Sequence, residues 1–60
     1  MIGQEAIEIV EGLIEDFRKK AHENEVLALK SGRCQMHFYY DGRSHAYTMA
    51  ADMLEISFNL

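Results

Sequence analysis

The chain has 60 residues, a formal net charge of −4 and a single cysteine. A chain this short is expected to form one domain, residues 1–60, and to bury only about 60% of its unfolded surface, so its stability is marginal. The acidic balance argues against binding to duplex nucleic acid, which requires clustered Lys and Arg. One cysteine excludes an internal disulfide and favours the reducing cytoplasm.

The N-terminal segment has the periodicity of an amphipathic helix that ends near Asn24. One broad side is apolar, formed by Ile2, Ala6, Ile7, Ile9, Val10, Leu13, Ile14, Phe17 and Ala21. Charged residues occupy the other side, acidic early and basic in residues 18–20, an order that suits the helix dipole. Because charge interrupts the apolar residues at every turn, we expect no membrane-spanning segment.

Two turn signals, Ser31-Gly32 and Asp41-Gly42, divide the middle of the chain. Two-residue loops at these sites predict an antiparallel meander of three strands, residues 25–30, 33–40 and 43–49. Both loops select the same inward face, formed by Leu27, Leu29, Cys34, Met36, Phe38, Tyr40, Tyr47 and Met49. The first helix is expected to cover this face.

The opposite, open face of the predicted sheet carries aromatic area with hydrogen-bonding neighbours. Its expected partner-binding residues are Gln35, His37, Tyr39, Ser44 and Thr48. Aromatic and polar side chains together are typical of interface anchors. This face is therefore a predicted binding surface, and a homodimer interface through it or through the sheet edge is the alternative.

The C-terminal segment predicts a second, short helix over residues 49–57, with Thr48 as its N-cap. An extended segment is the alternative for residues 55–60. The expected fold is therefore α+β, in the order helix, three strands, helix, with both helices on one face of the sheet. The other interpretation is an all-α helical hairpin, because residues 25–30 also have good helix propensity and could prolong the first helix to Lys30.

The sequence contains no pattern that indicates catalysis, a cofactor or a metal. There is no Cys/His pair at zinc spacing, no phosphate-binding loop and no nucleophile elbow. Glu8, Glu11 and Glu15 could gather carboxylates, but no histidine follows any of them by three residues, as a di-iron site requires. We therefore expect a protein that is not an enzyme.

One segment offers a different hypothesis. Gly42-Arg43-Ser44-His45-Ala46-Tyr47 resembles the glycine-serine-histidine strand motif of the small toxin ribonucleases of the HicA family, with an arginine interrupting the motif. That family has the order helix, three strands, helix. The resemblance implies that His45 would act as the general base on an RNA 2′-hydroxyl; the favoured interpretation is a histidine at the sheet edge.

The function expected from these observations is that of a small non-catalytic cytoplasmic binding protein. It would act as a regulator or stoichiometric inhibitor of a larger protein with a basic surface, a role typical of phage and mobile-element accessory proteins. The acidic helix face with Glu8, Glu11 and Glu15 would make that contact, and a homodimer would supply additional buried area. The alternatives are a nucleic-acid or nucleotide binder that uses the open sheet face, and the ribonuclease with His45.

Overall fold

The chain forms a hairpin of two long helices. The computed structural model describes residues 3–32 and 34–60, so the predictions for Ile2 and Arg33 lie outside the described residues. Helix α1 spans Gln4–Ser31 and helix α2 spans Gln35–Phe58. They run antiparallel and pack along one another, and the Cα radius of gyration is 14.0 Å. Neither described helix is long and apolar enough to cross a bilayer.

The contact between the helices follows a seven-residue repeat, with steps of three and four residues. In α1 the seam residues are Ile7, Val10, Ile14, Phe17, Ala21, Asn24, Ala28 and Ser31, and in α2 they are His37, Tyr40, Ser44, Tyr47, Ala51, Leu54 and Phe58. All of them are buried or half-buried. A heptad repeat of this kind is the pattern of coiled-coil packing.

The apolar part of the core lies at the open end of the hairpin, where α1 begins and α2 ends. Val10 and Ile14 of α1 pack against Ala51 of α2, which is fully buried. Phe17, Leu54 and Phe58 pack around them. Because alanine occupies the centre, the two helices can approach closely there.

The seam becomes polar toward the loop. Asn24 is buried, and its Nδ2 donates a hydrogen bond of 2.7 Å to the carbonyl oxygen of Lys20. The Ser31 hydroxyl likewise donates to the carbonyl oxygen of Leu27, at 2.7 Å. Polar groups therefore occupy seam positions without leaving a buried side-chain atom of the described residues unpaired.

Gly32 makes the reversal between the helices possible. Its φ of 67° and ψ of −133° lie in a region that side chains with a Cβ rarely adopt. The second helix ends at Asn59, whose left-handed conformation (φ 56°) lets the Leu60 N–H donate to the Glu55 carbonyl oxygen at 2.9 Å. This cap turns Leu60 back toward α1.

The predicted α+β fold is wrong, and the all-α hairpin given as the alternative is confirmed. The described residues contain no strand, and every described residue of the three expected strands is helical except Cys34, which precedes α2. The first helix does not end near Asn24 but continues to Ser31. The second begins at Gln35 rather than at residue 49.

The wrong prediction of a three-stranded sheet comes mainly from interpreting Asp41-Gly42 as a hairpin turn. Both residues lie inside α2, and Gly42 does not have the positive φ that a two-residue hairpin turn requires. The helix tolerates the glycine at a cost of about 1 kcal/mol relative to alanine. Ser31-Gly32 does mark a reversal of the chain, but the reversal joins two helices rather than two strands.

Candidate binding groove

A groove opens between the two helices at the open end of the hairpin. It has a volume of about 420 Å³. Its lining residues come from both helices and from the C-terminal residue: Glu11, Ile14, Glu15, Arg18, Glu55 and Leu60. The groove exists because Leu60 folds back at the C-cap, so that it and Ile14 form an apolar part of a site whose other members are charged.

Arg18 connects the two walls of this groove. Its Nε donates a hydrogen bond to Glu55 Oε1 at 3.2 Å, and its Nη2 contacts both Glu55 and Asp52, the latter at 3.1 Å. These hydrogen bonds, first to Glu55 and then to Asp52, raise the pKa of the Arg18 guanidinium above its ordinary value. The arginine is therefore a permanent cation that holds α1 and α2 in register on this side.

The charge of the groove is negative even with Arg18 in place. Glu11, Glu15 and Glu55 contribute three carboxylates to its lining, against one guanidinium. Among the ion pairs that the described residues form, Arg18 is the cation, and Glu11 and Glu15 take part in none. Two carboxylates beside an apolar floor can receive a lysine or arginine side chain, whose aliphatic stem and charged head need both.

Two of the three predicted acidic contact residues lie in the groove. Glu11 and Glu15 line it, one turn apart on the same side of α1. Glu8 is exposed one turn nearer the N-terminus and does not line it. Of the predicted acidic face, Glu11 and Glu15 therefore belong to the groove and Glu8 lies outside it.

The five residues predicted on the open sheet face do not share a face in the hairpin. His37 and Ser44 are half-buried seam residues, and His37 Nδ1 lies 2.8 Å from the Ala28 carbonyl oxygen. Tyr39 is exposed and accepts a hydrogen bond from Arg43 at 2.8 Å. Gln35 is exposed at the start of α2 and Thr48 is half-buried, so the continuous surface expected from the sheet does not form.

The segment behind the ribonuclease hypothesis also has a different structure. Residues 42–47 are helical, whereas the resembled motif lies on a strand, and His45 is exposed on α2. The described residues bring together no group of three His, Cys, Asp or Glu side chains that could hold a metal ion. Cys34, expected on the inward face, is instead exposed.

Sequence reasoning missed the α2 half of the groove. Asp52 and Glu55 are three residues apart and so lie on one side of a helix, and both fall within the short helix predicted for residues 49–57. Arg18 belongs to the basic residues 18–20 that the sequence places on the charged side of the first helix. Pairing Arg18 with the two acids required knowing that both helices are long and antiparallel.

Comparisons with protein-family models, with curated proteins and with solved structures gave no match to this chain.

Proposed function

We propose that this chain is a small non-catalytic binding protein that docks on a basic surface of a larger protein through the carboxylate-lined groove. The single observation that supports this most is the pairing of an apolar floor, Ile14 and Leu60, with Glu11 and Glu15. A protruding lysine or arginine of the partner would place its stem on the floor and its charge between the carboxylates. Binding of this kind can regulate or inhibit the partner by covering its basic surface.

Arg18 limits what the groove accepts. It is already bonded to Asp52 and Glu55, so its charge is balanced by carboxylates of the protein itself. An anionic ligand would meet the carboxylates of Glu11 and Glu15 first, which disfavours nucleic acid and phosphates at this site. The proposal therefore names a cationic segment of a protein as the ligand class.

The proposed compartment is the cytoplasm. Cys34 is exposed and unpaired, and an exposed thiol persists best where the surroundings are reducing.

A charge-matched pair of variants tests the groove. The probe is a fluorescein-labelled octalysine peptide, followed by anisotropy at low and at high salt. Glu11→Gln/Glu15→Gln should weaken binding by about two- to thirty-fold, since each exposed charge pair contributes about 0.2–1 kcal/mol. Raising the salt concentration should weaken wild-type binding as well.

The control variant, Glu5→Gln/Glu23→Gln, removes the same net charge from exposed positions outside the groove. It should bind the peptide nearly as tightly as wild type. Equal losses in the two double variants would show that only overall charge attracts the peptide and would overturn the proposal.

A further inference from the structure

Helix α2 carries a second heptad stripe that faces away from α1. It consists of Tyr39, Gly42, Ala46, Met49, Met53 and Ile56, and is called the outer stripe below. Each member follows a seam residue by two positions, which is about 200° around the helix. All six are exposed, Ile56 at 80% and Met53 at 62%.

The outer stripe is free of charged side chains along its whole length, as the α2 side of the seam is. Its C-terminal four members, Ala46, Met49, Met53 and Ile56, are all apolar. A helix of a soluble protein normally places its charged residues opposite its buried face. A charge-free heptad stripe of more than two heptads on that opposite face is therefore the pattern of a helix packed on both sides.

The hairpin also exposes more surface than its mass allows for a compact monomer. Its accessible surface is 4781 Å², whereas a compact chain of this mass exposes about 4000 Å². The excess, about 800 Å², reflects the elongated shape of the hairpin, 47 × 14 × 11 Å, and is similar in size to the area that each partner buries in a standard protein–protein interface.

The order of side-chain sizes along the stripe selects a second copy of this chain as the occupant. If two α2 helices pack antiparallel about a two-fold axis at Met49, Gly42 lies opposite Ile56 of the second copy. The stripe member nearest to Ala46 is then Met53 of the second copy, one residue beyond the position directly opposite. The smallest side chains thus face large ones, and Met49 meets its own counterpart. An added Cβ at Gly42 meets no atom within 4 Å in the single hairpin, so this space is open.

Charges at the edges of the stripe suit the same arrangement. Arg43 lies along one edge and Asp52 along the other, so antiparallel pairing brings no like charges face to face. His45 and Asp52 lie on the same edge of the stripe, and His45 comes within one residue of the position opposite Asp52 of the second copy, once on each side of the two-fold axis. Asp52 Oδ1 contacts Arg18 of its own chain, and its other carboxylate oxygen can accept a hydrogen bond from the imidazole there.

We propose that the chain forms a symmetric homodimer in which the outer stripes of two α2 helices pack antiparallel, centred on Met49. The acidic groove lies on a different side, between α1 and α2, and is left free in both copies. The dimer thus presents two grooves, one per chain, without depending on what they bind.

Two exposed apolar residues provide the matched test. Ile56 of the outer stripe is 80% exposed and Leu29 of α1 is 73% exposed, so neither change to glutamate removes much core contact. Size-exclusion chromatography with light scattering should give a molar mass of twice the 6.9 kDa chain mass for wild type and for Leu29→Glu. Ile56→Glu should elute at the mass of one chain, with helical circular dichroism retained.

The proposal is overturned if wild type elutes at the mass of one chain, or if Ile56→Glu remains a dimer. It is also overturned if Leu29→Glu dissociates the dimer as fully as Ile56→Glu does. If wild type is a monomer and a helix of another protein binds the outer stripe, the homodimer proposal is wrong. Octalysine binding at the groove would be unaffected, so this failure is distinct from a failure of the proposed function.

Cross-linking tests the antiparallel register. In a Cys34→Ser background, Met49→Cys should join two chains through a short bismaleimide, because the two cysteines meet at the axis. Ile56→Cys should not, since 14 residues of helix, about 21 Å, separate the paired positions. Linking of both variants would indicate parallel helices and contradict the arrangement.

Discussion

His37 Nδ1 of α2 lies 2.8 Å from the carbonyl oxygen of Ala28 in α1. A carbonyl oxygen only accepts, so the imidazole donates from Nδ1. The bond joins the two helices next to their connection, where the seam is polar and apolar packing is weakest. A residue expected to bind a partner from an open sheet is thus a structural link between the helices.

Replacing this histidine tests the link. His37→Ala should lower the free energy of unfolding by about 1 kcal/mol, the usual net value of one hydrogen bond. His22→Ala removes an exposed imidazole from α1, away from the seam and the outer stripe, and should change it by less than about 0.5 kcal/mol. Urea unfolding at one fixed protein concentration measures both; equal losses would contradict the assigned hydrogen bond.

The conformation of Gly32 in the connection between the helices leads to a second prediction. Gly32→Ala forces a Cβ into a backbone conformation with φ 67° and should destabilise the hairpin by about 1–2 kcal/mol. Gly12→Ala in the interior of α1 meets no atom within 4 Å and should stabilise it by about 1 kcal/mol. Thermal unfolding should therefore shift in opposite directions, and a neutral Gly32→Ala would rule out the described turn.

The position of the core predicts very different losses of stability when two large apolar residues are replaced by alanine. Ile14 is 8% exposed within the core at the open end, so Ile14→Ala should cost about 2–5 kcal/mol. Phe38 is 72% exposed, and Phe38→Ala should cost less than about 1 kcal/mol. The three-strand fold demands a large loss from Phe38, so denaturant unfolding of this variant separates the two folds.

Arg18 provides a prediction in which affinity rises. Arg18→Gln removes the cation from a groove that keeps Glu11, Glu15 and Glu55, so octalysine should bind about two- to five-fold more tightly. The hairpin should lose little stability, because the ion pairs of Arg18 are solvent-exposed. Unchanged or weaker peptide binding in anisotropy measurements would argue that the peptide binds elsewhere.

The sequence predicted the buried side of α1 in part, and only as far as Ala21: Val10, Ile14 and Ala21 are buried, but Ala6, Ile9 and Leu13 are exposed. From Asn24 to Ser44 the seam positions are occupied mainly by polar or small residues, so apolar periodicity does not reveal them. In the same interval, apolar residues at 27, 29, 34, 36 and 38 alternate as they do in a strand. Local helical hydrogen bonding and the heptad contacts outweighed that alternation.

The groove was half predictable for a related reason. Glu11 and Glu15 belong to one helix, and their spacing alone places them on one side. Glu55 and Leu60 join them only through tertiary structure, because the antiparallel register and the Asn59 cap bring the C-terminus back to α1. Residues that meet across a hairpin cannot be paired before the turn between the helices is known.

Titration of ¹⁵N-labelled protein with octalysine, followed by amide chemical shifts, tests the central claim most directly. The proposed groove predicts saturable shift changes that are largest in residues 11–18 and 55–60. Largest changes along the outer stripe of α2, or small changes spread without saturation over the whole chain, would contradict it.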